Sequence, residues 1–260
     1  MNMEKSYYAP DSLFDSNNEF EIPNLRLDVQ PQAVEIPFVC YGEQRRTFDM
    51  RHRGTLHFYT DDYRWQSVYE YPEKILRHRP SSIVEPNYSL FNETPVAFGM
   101  QAVYRKRWIA RAMQERGIGV FVDLNVANKY YAMNLLGVPV GYSHFCTRGY
   151  SDRIPALEFE HKIAEAMADG NRLTFVVYGG GNTVREWCAA HGAVYVTPVV
   201  AIKDRIKAIE RMKQSVAVIG GDPLFPELPV YDKLPDVKDL YERQVMDYSR
   251  IEKLIQDDNV

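Results

Sequence analysis

From residue 55 onward the chain alternates short apolar runs with longer stretches of helical spacing, and most runs end in a polar or turn-forming residue. Leu56-His57-Phe58-Tyr59 is a β-prone run stopped by Asp61-Asp62, and a helix interrupted near Pro72 is expected over 68–77. A second strand covers 82–85 and stops at Pro86-Asn87. Trp108, Ile109, Ala112 and Met113 recur at helical spacing, which predicts a helix over 102–116 closed by Gly117. The same reading gives strands over 119–123, 138–145, 173–178 and 193–197. Between and after them it gives helices over 128–136, 154–168, 184–190 and 202–212.

This alternation is the signature of an α/β fold with a mostly parallel sheet of five to six strands joined by crossover helices. Parallel strands are buried on both faces, which explains why a run such as Leu-Thr-Phe-Val-Val-Tyr shows no polar alternation. The sheet is either open and doubly wound or curved into a partial or complete β/α barrel. Polar residues recur at strand ends along the whole chain, and that favours the barrel. Residues 1–35 read as an extended polar arm, anchored by Leu25, Leu27 and Val29, and 36–220 as the α/β domain. Residues 221–260 read as a Pro-rich connector (Pro223, Pro226, Pro229) followed by an amphipathic helix over 237–256.

Charge changes the picture more than composition does. The net charge of −4 is unevenly spread, with −5 over residues 1–39, +4 over 40–120 and −5 over 221–260, the remainder falling on 121–220. Acidic ends around a basic middle suit a protein that meets phosphates on one face, and equally one whose tails fold over its own basic surface. The three cysteines, Cys40, Cys146 and Cys188, are too few and too scattered for a disulfide scaffold or a zinc site. No apolar run reaches the roughly 18 residues a membrane helix needs. The expected compartment is therefore the cytoplasm, with no membrane partner.

Active sites of parallel α/β folds gather at the C-terminal ends of the strands. Asp61, Asp62 and Asp123 are the candidate catalytic carboxylates there. With Glu85, the pair Asp61 and Asp62 could hold Mg²⁺ or Mn²⁺, which prefer oxygen ligands. The competing reading is that these acids cap helices or satisfy loop amides. Gly179, Gly180, Gly181 and Asn182 lie between a strand and a helix, where glycines let backbone N–H groups approach a phosphate. They lack the Lys-Ser/Thr ending of a P-loop, and a tight connection alone also explains them. His144 and Cys146 share a strand face but lack a third orienting group, and a buried Cys is usually inert. Arg45, Arg46, Arg105, Lys106, Arg107 and Trp108 mix cations with a stackable ring, as single-stranded nucleic-acid surfaces do. A solvated helix face with internal salt bridges is the plain alternative.

Three segments together resemble a known family. They are Leu56-His57-Phe58-Tyr59-Thr60-Asp61-Asp62-Tyr63-Arg64-Trp65, then Glu85-Pro86-Asn87-Tyr88-Ser89-Leu90-Phe91, then Tyr104-Arg105-Lys106-Arg107 ahead of Gly117. The family is domain of unknown function 4417, found in bacteria and their phages, and the likeness covers roughly residues 55–200. The chain departs from the family's pattern at Asn87, where the family has Asp, and at Asp123-Leu124-Asn125, where it has a Pro-centred segment. The resemblance implies a mobile-element association and no particular reaction.

The expectation is a phage- or mobile-element-type protein that binds single-stranded nucleic acid in DNA replication or processing. A metal-dependent phosphodiester or nucleotide hydrolase and a structural or partner-binding protein are the alternatives. Whether the chain is an enzyme, and its oligomeric state, stay open at this level.

Overall fold

The structure is a computed structural model that describes residues 13–42, 50 and 53–198. Arg45, Arg46, the expected helix over 202–212, the connector and the helix over 237–256 lie outside the described residues.

The elements run β1 (Phe38–Cys40), β2 (Thr55–His57), α1 (Glu73–Leu76), β3 (Ser82–Val84), α2 (Val96–Gln114), β4 (Gly119–Asp123), α3 (Tyr131–Asn134), β5 (His144–Arg148), α4 (Ile154–Ala168), β6 (Thr174–Tyr178), α5 (Gly181–Ala190) and β7 (Val194–Val196). Among the described residues the seven strands form one sheet in sequence order, and every neighbouring pair is parallel. Crossovers that always step to the next strand in the same direction, added to the natural strand twist, curl the sheet toward a barrel. The curl brings Phe38 on β1 to 5.9 Å from Tyr178 on β6, ring centroid to ring centroid, across the interior. The strand count exceeds the expected five to six because residues 38–40 also join the sheet.

Alternation along each strand sorts side chains into two layers. Phe38, Tyr59, Val84, Phe121, Cys146, Val176, Val194 and Val196 fill the barrel. Leu56, Ile83, Val120, Val122, Phe145, Phe175 and Val177 face outward beneath the helices and meet Trp108, Met113, Leu157 and Trp187. The interior is thus a packed core, and open space is left to the rim.

Two boundaries differ from the sequence expectation in ways that bear on the site. Helix α2 begins after Pro95, six residues earlier than expected, because a proline is well tolerated at the start of a helix. Strand β5 occupies 144–148 rather than 138–145. Pro139 and Gly141, the latter at φ +90°, hold the preceding segment in a turn, so the strand ends three residues later.

The arm closes the barrel's other end. Pro31 packs against Gly119 so tightly that a Cβ there would lie 2.7 Å from it. Gln30 accepts a hydrogen bond from the Ser143 N–H at 2.8 Å, and Gln114 donates to the carbonyls of Arg26 and Val29 at 3.0 and 2.8 Å. These contacts reach the first residue of β4 and the residue before β5, so the arm covers this end of the barrel. Leu25 is buried in this contact, whereas Leu27 is exposed.

A candidate acid–base site at the barrel rim

A cavity of about 820 Å³ opens at the C-terminal ends of β2 to β5. The loop after each of these strands supplies part of its wall, and the first turns of α4 supply the rest. A space of this size accepts a metabolite or a nucleotide.

Beneath it lies a buried polar network. Asp123, at the end of β4, accepts from the Tyr59 hydroxyl at 3.0 Å, from Asn87 Nδ2 at 2.8 Å and from the Asn125 N–H at 3.2 Å. Lys106 Nζ stands 3.4 Å from the same carboxylate and 3.6 Å from Glu85. Arg107 donates to Glu85 Oε1 at 2.5 Å and to the Asn134 carbonyl at 2.6 Å. Glu85 completes the network by accepting the Asp123 N–H at 3.2 Å. Two carboxylates facing two cations, with hydrogen bonds on nearly every remaining lone pair, make such burial tolerable.

The network changes the meaning of several expected site residues. Lys106, Arg107 and Trp108 are almost wholly buried, at 1%, 0% and 1% exposure, so they cannot meet a nucleic-acid backbone. The charges of Lys106 and Arg107 neutralise Glu85 and Asp123 instead. Of that run, Arg105 alone reaches the surface, where it stacks over the Tyr69 ring at 5.1 Å. Glu85 is sealed against Arg107 and Lys106 and is withdrawn from any rim metal. Asp62 accepts from both the N–H and the hydroxyl of Ser89 at 3.0 Å, fastening the β2 loop to the β3 loop. Asp61 lines the cavity, with its carboxylate 3.8 Å from Arg64. The structure therefore separates Asp61, Asp62 and Glu85, and among the described residues no three His, Cys, Asp or Glu side chains converge as metal ligands do.

Gly179, Gly180 and Gly181 all have positive φ. A Cβ on Gly180 would come within 2.8 Å of Gly149 backbone and closer still to Val184, so close packing between the β5 and β6 tips already requires glycine there. This turn does not line the cavity. Cys146 sits inside the barrel 3.3 Å from the Tyr59 hydroxyl, and burial pushes its thiol well above the ordinary range, which keeps it from acting as a thiolate. His144 faces Gln30 at the covered end.

The residues that give the cavity its chemistry are others: Glu160, Tyr131, Arg148, Arg153 and Tyr150. Glu160 stands on α4 in the buried stripe Leu157, Glu160, Ala164, Ala168. Only 6% of it is exposed, and it accepts from the Tyr131 hydroxyl at 3.0 Å. Burial pushes its carboxyl up to about 8. A neutral carboxyl at the wall of a polar cavity can both give and take a proton near neutral pH. Arg148 and Arg153 stack on Tyr150, their guanidinium carbons 5.3 and 4.8 Å from the ring centroid. Two sequence signals mark these residues. An acid occupies a helical position that its neighbours make apolar, and Arg148 falls on the rim once β5 is extended to its true end.

Among the described residues no helix is long and apolar enough to cross a membrane. The chain is 33% identical over 110 residues to the Gene 1 protein of Mycobacterium phage L5, covering 41% of this chain and 47% of that protein. It is likewise 33% identical over 110 residues to the Gene 1 protein of Mycobacterium phage D29, covering 40% of that one. It thus spans less than half the length of these phage relatives. No solved structure matches. The family model described as Domain of unknown function (DUF4417) matches residues 14–168, from the packed arm to the end of α4, and the chain is a phage-type member of that family.

Proposed function

We propose that this barrel is an enzyme performing general acid–base chemistry on a small polar substrate held in the rim cavity, with Glu160 as the proton-transferring group. The observation that carries this reading is a buried carboxyl, held near 8, in the wall of an otherwise polar cavity at the catalytic end of a parallel barrel. Tyr131 orients the carboxyl from one side. Asn87 and Asn125, linked to each other at 3.2 Å and fastened to Asp123, give the floor two rigid carboxamides. The test is to incubate the protein with a metabolite extract and follow its components by mass spectrometry. The wild type should consume a species that Glu160→Gln spares at equal concentration of folded protein. Consumption at equal rates by both proteins, or by neither, removes the proposal.

One observation favours a second reading, binding of single-stranded nucleic acid in DNA replication or processing. Tyr150 between two arginines, with the exposed Phe91 ring on the same cavity, combines cations and rings as single-strand sites do. Binding that weakens steeply with salt and is lost in Arg148→Ala and Arg153→Ala, while Arg105→Ala leaves it intact, would support it. Binding that is insensitive to salt would end it. The structural or partner-binding alternative leans on the acidic tails, most of which lie outside the described residues.

A further inference from the structure

We infer that the ligand of this cavity is a small molecule bearing a phosphate group, and that Arg148 and Arg153 hold the phosphate at the cavity mouth. The inference rests on the acid–base reading above and specifies its substrate class. Both residues line the cavity and neither is paired with a carboxylate among the described residues. Other arginines of this fold are paired: Arg26 with Asp28, Arg64 with Asp61, Arg107 with Glu85 and Arg111 with Glu115. What Arg148 and Arg153 touch instead is the shared face-making ring of Tyr150, which holds each planar fork without neutralising it.

Three acids line the cavity with them: Asp61, whose carboxylate lies 3.8 Å from Arg64, the exposed Glu93, and Glu160. Burial favours the protonated form of Glu160 and pushes its carboxyl up to about 8, so it offers these arginines little negative charge near neutral pH. Arg148 and Arg153, gathered on the Tyr150 ring without a carboxylate partner among the described residues, make a local patch of positive charge at the cavity mouth. Arginine binds phosphate through parallel N–H donors, so a pair of arginines suits a dianionic phosphate monoester better than a single charge would. The amino end of α4 begins immediately after Arg153, and no side chain caps it, so the helix dipole adds to the same field. The carboxamides of Asn87 and Asn125 line the same cavity and can receive the polar remainder of the molecule.

The test is calorimetric titration of the full chain with three probes: inorganic phosphate, adenosine monophosphate and adenosine. The monophosphate should bind and adenosine should bind at least tenfold more weakly. Arg148→Gln and Arg153→Gln should each reduce monophosphate affinity by about tenfold to a hundredfold, the range expected for losing one charge-assisted contact. Both side chains are exposed, so these variants should keep their thermal unfolding profile; circular dichroism confirms the fold, and Arg148→Lys should restore part of the affinity. Glu160→Gln should retain monophosphate binding within a few fold. Equal affinity for adenosine and its monophosphate, unaltered binding in the double Gln variant, or no binding of either phosphate compound at millimolar concentration would overturn the inference. Tight binding of a short single-stranded DNA without binding of the monophosphate would overturn it as well, in favour of a strand-binding surface. If the phosphate inference fails while the wild type still consumes a metabolite that Glu160→Gln spares, the acid–base reading survives. Phosphate binding without such a difference sinks only that reading.

Discussion

Replacing Glu160 by Gln should make the protein more stable at pH 8 and leave it nearly unchanged below about pH 4.5. The carboxyl has an ordinary value of 4.5 and burial raises it to about 8 in the fold. The folded state therefore keeps a proton that the unfolded chain has already lost. A raised carboxyl contributes its stability in full below 4.5 and forfeits it as pH climbs through 8. The largest possible loss is about 5 kcal/mol, from about 1.4 kcal/mol for each pH interval of one between the two values. Relaxation around the charged form will reduce it.

The interval from pH 6.5 to 8 isolates this effect. His57 and His144, lowered by burial from 6.5 to about 3 and about 4, act only below it. Cys188, raised from 9.0 to about 12, acts above it. Across the interval the wild type should lose about 1.5 kcal/mol through Glu160. The isosteric amide cannot ionise, keeps the shape of the protonated acid and should lose almost none. Urea unfolding followed by tryptophan fluorescence suits the measurement, because Trp65 and Trp108 are fully buried and Trp187 nearly so. Parallel pH dependence in the two proteins would refute the burial argument, and with it the assignment of Glu160 as a near-neutral acid.

Arg107→Ala leaves Glu85 buried with only Lys106, at 3.6 Å, to answer it, and should cost about 3 kcal/mol by denaturant unfolding. The double variant Arg107→Met with Glu85→Leu should cost less than that single change, because no unpaired charge remains. Gly99→Ala would gain about 1 kcal/mol of helix propensity yet drive a Cβ into the Tyr130 ring. The clash should dominate, giving a net loss of about 1–3 kcal/mol in thermal unfolding, since Tyr130 is also tied by its hydroxyl to the Thr94 carbonyl. His57 is neutral in the fold and accepts the Tyr59 N–H on Nδ1, so it offers no site for a second proton without desolvation cost. Stability present above pH 6.5 should fall as pH drops toward 3, and His57→Leu should flatten that slope in acid unfolding.

The alternation of apolar runs and helical stretches determined the α/β class, the parallel sheet and several element boundaries, because buried parallel strands and helical stripes leave a local record. Strand 119–123 and helix 154–168 match the observed elements residue for residue. The same local record could not say which face a charged residue would take. Tyr104-Arg105-Lys106-Arg107 reads as a basic run, yet on a helix of 3.6 residues per turn its members point in different directions. Arg105 reaches the surface, whereas Lys106 and Arg107 turn inward onto Glu85 and Asp123, which lie 21 and 17 positions away from Lys106 in the chain. Glu160 carries the opposite lesson. Its place in an apolar stripe was visible in the sequence, but its chemistry depends on burial beside Tyr131, 29 residues distant. Local spacing records the period of an element. Pairing of charges and the removal of water from a carboxyl arise only when distant segments pack, and those two effects decided which residues became structure and which became the candidate site.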